Sequence, residues 1–151
     1  MMITSPTPKP FGRCLLSLFL LLGACNTTPP EQWTSVALEV SNAKVLHEVI
    51  MMSMLDLDYP MGPGTAPGNN EVTSGWLESR SPFYGRGYRL RAFVKYSYTG
   101  LGEHLLECRV EKEVNESHQG LDSSRDEWAR VGDDNARRGH LLAKIKAYLA
   151  P

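Results

Sequence analysis

An α+β fold is what residues 33–151 predict: a small antiparallel sheet of about four strands with two helices on one face, in the order β-α-β-β-β-α. Three observations lead there. Two stretches alternate polar and apolar residues around a short glycine-containing loop. Residues 42–56 carry an apolar stripe at helical spacing, and residues 135–149 carry a second one.

The first strand comes from Trp33 to Val40, where Val36, Leu38 and Val40 alternate with Ala37 and Glu39. Ser41 then offers an N-cap hydroxyl. In the helix that follows, Asn42 to Asp56, residues Leu46, Val49, Ile50, Ser53 and Leu57 share one face. Met51, Met52, Met54 and Leu55 add apolar surface elsewhere, which predicts a deeply covered second half. Tyr59 to Asn70 is rich in Gly and Pro and predicts an exposed connector without the lysine of a phosphate cradle. Thr73 to Ser79 is expected to form one short strand around Trp76 and Leu77, and Ser81 to Gly87 turns the chain again.

The hairpin carries the clearest signal. Tyr88, Leu90, Ala92, Val94, Tyr96 and Tyr98 alternate with Arg89, Arg91, Phe93, Lys95 and Ser97. Leu106, Cys108, Val110 and Val114 alternate with Glu107, Arg109, Glu111 and Glu113, and Thr99 to Glu103 is expected as a five-residue loop. Placing Tyr98 opposite His104 brings Lys95 to Glu107, Arg91 to Glu111, Arg89 to Glu113 and Phe93 to Arg109. It also brings Val94 to Cys108 and Ala92 to Val110. A slip of one residue would set apolar side chains against charged ones, so the pattern selects this register. The charged face reads as a solvated outer surface.

Asn115 to Gly132 is polar and is expected as a long excursion that docks Trp128 onto the domain. Asp133 or Asp134 can cap the last helix, Asn135 to Leu149. Leu141, Leu142, Ile145, Tyr148 and Leu149 make its stripe, and Arg137, Arg138, Lys144 and Lys146 its basic face.

Upstream of the domain, Lys9 and Arg13 precede an apolar run from Leu15 to Leu22, followed by Gly23-Ala24-Cys25. A basic n-region, a short apolar core and small residues make a secretory signal peptide. The run falls short of the roughly 20 residues needed to span hydrocarbon, and Asn26-Thr27-Thr28-Pro29-Pro30-Glu31 ends it at once. Leu22-Gly23-Ala24-Cys25 resembles the lipobox of bacterial lipoproteins. That resemblance implies cleavage between Ala24 and Cys25, removal of residues 1–24, and acylation of Cys25 with membrane attachment through its acyl chains. Residues 25–32 are then a lipidated cysteine and a short, stiff polar tether, and 33–151 a single domain. Asn26 is not the aspartate that favours inner-membrane retention, so the class implies an outer-membrane anchor facing the periplasm.

The full sequence has a formal net charge of −1, and the leader takes two cations and no anion with it, so the mature chain is more acidic still. That excludes the basic footprint of a nucleic-acid binder. With Cys14 removed and Cys25 acylated, Cys108 has no partner for a disulfide in its own chain.

The strand Ser35–Val40 leading into the 42–56 helix, the Tyr88–Glu113 hairpin and the segment from Trp128 into the last helix together resemble the helix-grip domains of BamC-like envelope lipoproteins. The resemblance rests on element order and implies fold, and fold does not transfer function.

No catalytic constellation emerges. His47-Glu48 lacks the second histidine of HExxH, and His104, His118 and His140 have no histidine neighbour in the sequence. No metal site and no cofactor are predicted. Cys108 sits on the apolar side of a strand, where thiols are inert. Asp56, Asp58, Asp133 and Asp134 lie at helix ends, where turns and caps use them. The expectation is a non-enzymatic, lipid-anchored envelope protein that binds another protein or supports an envelope assembly. The alternative is a periplasmic binder of a small apolar ligand held between the helices and the tyrosine-bearing sheet face, where Ala92 and Cys108 are small. A hydrolase acting on envelope material would need convergent polar groups in a cleft.

Overall fold

The computed structural model describes residues 28–63, 65–66, 68–80, 87–117 and 123–150. Ala24, Cys25 and the leader lie outside the described residues, as do His118 and most of the turn at 81–87. The domain is α+β, with an antiparallel six-stranded sheet and two helices: β1 (Thr34–Leu38), α1 (Ala43–Leu55), β2 (Glu71–Thr73), β3 (Leu77–Ser79), β4 (Tyr88–Gly100), β5 (Glu103–Asn115), β6 (Trp128–Asp133) and α2 (Asn135–Leu149).

The hairpin β4–β5 is the spine. Tyr98 lies opposite His104, and every pairing expected from that register is present, from Lys95↔Glu107 to Arg89↔Glu113. Its loop is tighter than expected. The strands run on to Gly100 and Glu103, with only Leu101 and Gly102 between them, both at positive φ (56° and 82°). This is the left-handed two-residue turn that matches strand twist.

Each spine strand is flanked on its free edge by two short strands set end to end. β1 pairs with residues 104–108 of β5 and β6 with 111–115. β2 pairs with residues 93–95 of β4 and β3 with 88–90. Two expectations are corrected here. The single strand at 73–79 is two strands, because the Ser74 hydroxyl accepts from the Ala92 amide at 2.9 Å, a hydrogen bond that a backbone carbonyl makes in a regular ladder. Gly75 N donates instead to Pro60 O, and Met61 bridges to Ser74. The polar excursion ends in β6, which pairs with the charged end of β5. The sheet therefore has six strands rather than about four.

The alternation sends Leu90, Ala92, Val94 and Tyr96 of β4, with Leu106, Cys108 and Val110 of β5, to one side. There they form one buried cluster with Leu46, Ile50 and Met54 of α1 and Leu141 and Ile145 of α2. Asn42, not Ser41, caps α1 through its side chain, and Asp134 caps α2 by accepting from Arg137 N at 3.0 Å. The second half of α1 is not deeply covered. Met54 is buried, but Met52 (49%) and Leu55 (51%) are exposed, since the sheet and α2 cover only one side of the helix.

Candidate functional site

The opposite face of the sheet concentrates the charge of the domain. Arg89, Arg91, Phe93 and Lys95 of β4 and Glu107, Arg109, Glu111 and Glu113 of β5 point away from the core by the same alternation. Three tryptophans join them from the flanks: Trp33 just before β1, Trp76 just before β3, and Trp128 at the start of β6.

The cations and rings interleave. Arg89 lies over Trp128 (4.6 Å to the ring centroid) and over Trp76 (4.2 Å). Arg91 lies between Trp76 (5.6 Å) and Phe93 (5.3 Å). Arg109 lies between Phe93 (4.1 Å) and Trp33 (5.3 Å), and Lys95 caps Trp33 at 4.8 Å. These distances are within the reach of cation–π attraction. The result is one continuous row across the sheet, from Trp128 to Lys95.

Of the three charge pairs expected from the register, only Arg89–Glu113 closes to an ion pair among the described residues, at 2.6 Å. Arg91 donates instead to the Ser74 carbonyl at 3.1 Å. Glu111 is taken by Arg130 at 2.7 Å. That residue belongs to β6, so the diversion follows from the strand that sequence patterning missed.

Arg109 is the hub of the face. Its side chain is only 7% exposed, and it meets Glu31 at 3.1 Å, Asp133 at 3.4 Å and Glu111 at 4.0 Å. Arg130 reaches the same Asp133 at 3.0 Å. The Asp133 side chain is 1% exposed, so it is a buried carboxylate shared between two guanidinium groups. Both Arg130 and Asp133 can face this side because β6 carries a bulge opposite Lys112 and Glu113. Gly132, at φ 127°, takes up the irregular backbone there.

The cluster also fastens the N-terminal segment. Glu31 accepts from the Trp33 indole N–H at 3.0 Å, and the Asp133 carboxylate accepts from Gln32 N at 2.6 Å. Arg138 of α2 donates to Gln32 O at 2.8 Å, and Arg130 donates to the Pro29 carbonyl. The Trp33 hydrogen bond and the charges of Arg109, Arg130 and Lys95 hold the Glu31 carboxyl below its ordinary value. Topology explains the arrangement. β6 occupies the edge of β5 beyond β1, so the chain upstream of Thr34 must leave that edge, and Arg109 and Arg130 meet it there. Pro29–Gln32, expected to be a tether, is strapped to the domain.

The other candidate residues are scattered. Cys108 is fully buried, and burial pushes its thiol up to about 12, which leaves it protonated and inert at neutral pH. His47 and His104 are buried and structural. The His47 Nε2–H donates to Thr65 O at 2.9 Å, so its Nδ1 accepts from the Tyr96 hydroxyl at 3.0 Å. His104 Nδ1 donates to Val40 O at 2.6 Å. His140 is exposed on α2. Asp56 binds Lys144 at 2.9 Å and the Tyr148 hydroxyl at 2.5 Å, a tie between the C-terminal ends of the two helices. Asp133 is not a helix cap at all but the counterion of Arg109 and Arg130.

Among the described residues, no group of three or more His, Cys, Asp or Glu side chains is placed to hold a metal ion. Among the same residues, no helix is long and apolar enough to cross a membrane. The chain matches no protein-family model and no curated protein. What the outer face offers is half-buried aromatic surface interleaved with paired charge.

Proposed function

We propose that this chain is a lipid-anchored cell-envelope protein, non-enzymatic, that acts by binding another protein or supporting an envelope assembly from the periplasmic side of the outer membrane. The observation that carries this reading is Leu22-Gly23-Ala24-Cys25, set after Lys9, Arg13 and the apolar run from Leu15. The folded domain supports it in three ways. Its only described cysteine is sequestered in the core. Its outer face presents the Trp–Arg row, a composition typical of protein-binding patches, where Trp and Arg are enriched. The packing of both helices against the inner side of the hairpin is in keeping with a helix-grip domain like those of BamC-like envelope lipoproteins.

A ligand cavity has less support. Ala92 and Cys108, whose small size would leave room for an apolar molecule, are 0% exposed in the core cluster. A space large enough for a ligand would leave surface on its lining.

Substitution of Cys25 by Ala tests the anchor: the variant is expected to leave the membrane fraction or to accumulate as uncleaved precursor. A processed, membrane-bound C25A protein would overturn it. Crosslinking on intact membranes tests the binding role, and repeated recovery of no partner would count against it.

A further inference from the structure

We infer that the strap Pro29–Gln32 fixes how the domain sits on its membrane, pressing the β6–α2 corner against the lipid headgroups with the β4–β5 hairpin tip pointing away. This rests on the lipid-anchor reading of Cys25, and adds to it a surface and an orientation.

Two observations carry it. The first is that the strap is held at each of its ends. Pro29 O accepts from Arg130, Glu31 pairs with Arg109, Gln32 N donates to Asp133, and Gln32 O accepts from Arg138. These partners come from β5, β6 and α2, so the strap cannot swing without breaking contacts to three elements. The second is chain length. Only three residues lie between Cys25 and Pro29, and the four residue-to-residue steps reach about 14 Å when fully extended. An acylated Cys25 lies at the headgroup level, so Pro29 lies within that distance of the bilayer.

The surface around Pro29 is therefore the lipid-facing one. A Cβ on Gly132 would lie 3.8 Å from the Pro29 side chain, and the adjacent Val131 is exposed. The start of α2 lies beside it, with Arg138 on the strap itself. The hairpin tip is at the other end of the sheet. From Glu111, which pairs with Asp133, to Glu103 at the tip is eight residues of strand, about 26 Å. A free seven-residue tether would let the domain tumble. The strap shortens the free length to the few residues before Pro29.

The test uses the full-length lipoprotein in vesicles carrying a headgroup-linked fluorescence quencher. Val131→Cys and Leu101→Cys each add one reactive thiol at an exposed site, while Cys108 stays buried and unlabelled. The label at position 131 is expected to be quenched several-fold more strongly than that at 101. A Gly-Ser insert of about six residues between Thr28 and Pro29, adding about 20 Å of reach, is expected to abolish the difference. Equal quenching in membrane-bound protein, or no effect of the insert, overturns the orientation and leaves the anchor standing. Protein that does not partition into membranes at all removes the anchor, and the orientation falls with it.

Discussion

The two faces of the β4–β5 hairpin are made by alternate residues of the same two strands, and they do different work. The inner face is apolar, and its contribution is burial, which is non-directional and scales with area. The outer face is built from guanidinium, carboxylate and indole groups whose interactions depend on geometry. The outer face accepts one course for the N-terminal segment, because Glu31, Gln32 and Pro29 each meet a specific partner. Stability is concentrated on one side of the sheet, and the fastening of the N-terminal segment on the other.

Leu106→Ala is the sharpest probe of the inner face. Leu106 is fully buried between Val36 of β1 and Tyr96 of β4. Its truncation is expected to cost about 2–5 kcal/mol, the range for a buried leucine that leaves a cavity, read as a drop in the urea midpoint at unchanged slope. On the outer face, Arg109→Ala is expected to cost less, about 1–3 kcal/mol, the cost of leaving a buried polar partner short of one bond. Asp133 keeps Arg130 and the Gln32 amide, so it is not stranded. Lysine should not rescue this site, because a single ammonium cannot serve Glu31 and Asp133 as a planar fork does. If Arg109→Ala destabilised the domain as much as Leu106→Ala, the division of labour between the faces would fail.

The two faces were also unequally legible in the sequence. Alternation in a hairpin names both faces at once, so the core residues of β4 and β5 and the register that pairs Phe93 with Arg109 could be read directly. The helices followed from periodicity, with cap and boundary shifts of a residue. What could not be read was anything that depends on a third strand. Trp128-Ala129-Arg130-Val131-Gly132-Asp133 has one glycine, two charges and no clean alternation, because its bulge breaks the period that strand recognition relies on. Missing β6 meant missing Arg130 and Asp133 as members of the outer face, and so assigning Glu111 to Arg91 and Asp133 to a helix cap. Glu71–Thr73 and Leu77–Ser79 are too short to show alternation, which is why they merged into one strand. The strap was invisible for a related reason: Pro-Pro-Glu-Gln reads as a linker by composition, and only the positions of Arg109, Arg130 and Arg138 make it part of the domain.

The smallest expected effect isolates the strap from everything else. Glu31 has its folded carboxyl held below the ordinary value of 4.5 by the Trp33 indole and by Arg109. A carboxyl depressed in the folded state contributes stability above its unfolded value and loses it as pH falls through the folded one. The Glu31 contribution to the strap is therefore fully present at neutral pH and is lost as pH falls through the depressed carboxyl value. Hydrogen exchange should show this locally: after correction for intrinsic rates, the Gln32 amide and the Trp33 indole N–H gain exchange in acid, while the Val94 and Cys108 amides in the core do not. Glu31→Gln separates the charge from the hydrogen bond, since the amide oxygen can still accept from Trp33. That variant is expected to exchange faster at Gln32 already at neutral pH and to lose most of its acid dependence. Core and strap amides opening together at one pH would mean that the outer-face clasp is part of the same cooperative unit as the inner core, and the two faces would differ in chemistry but not in stability.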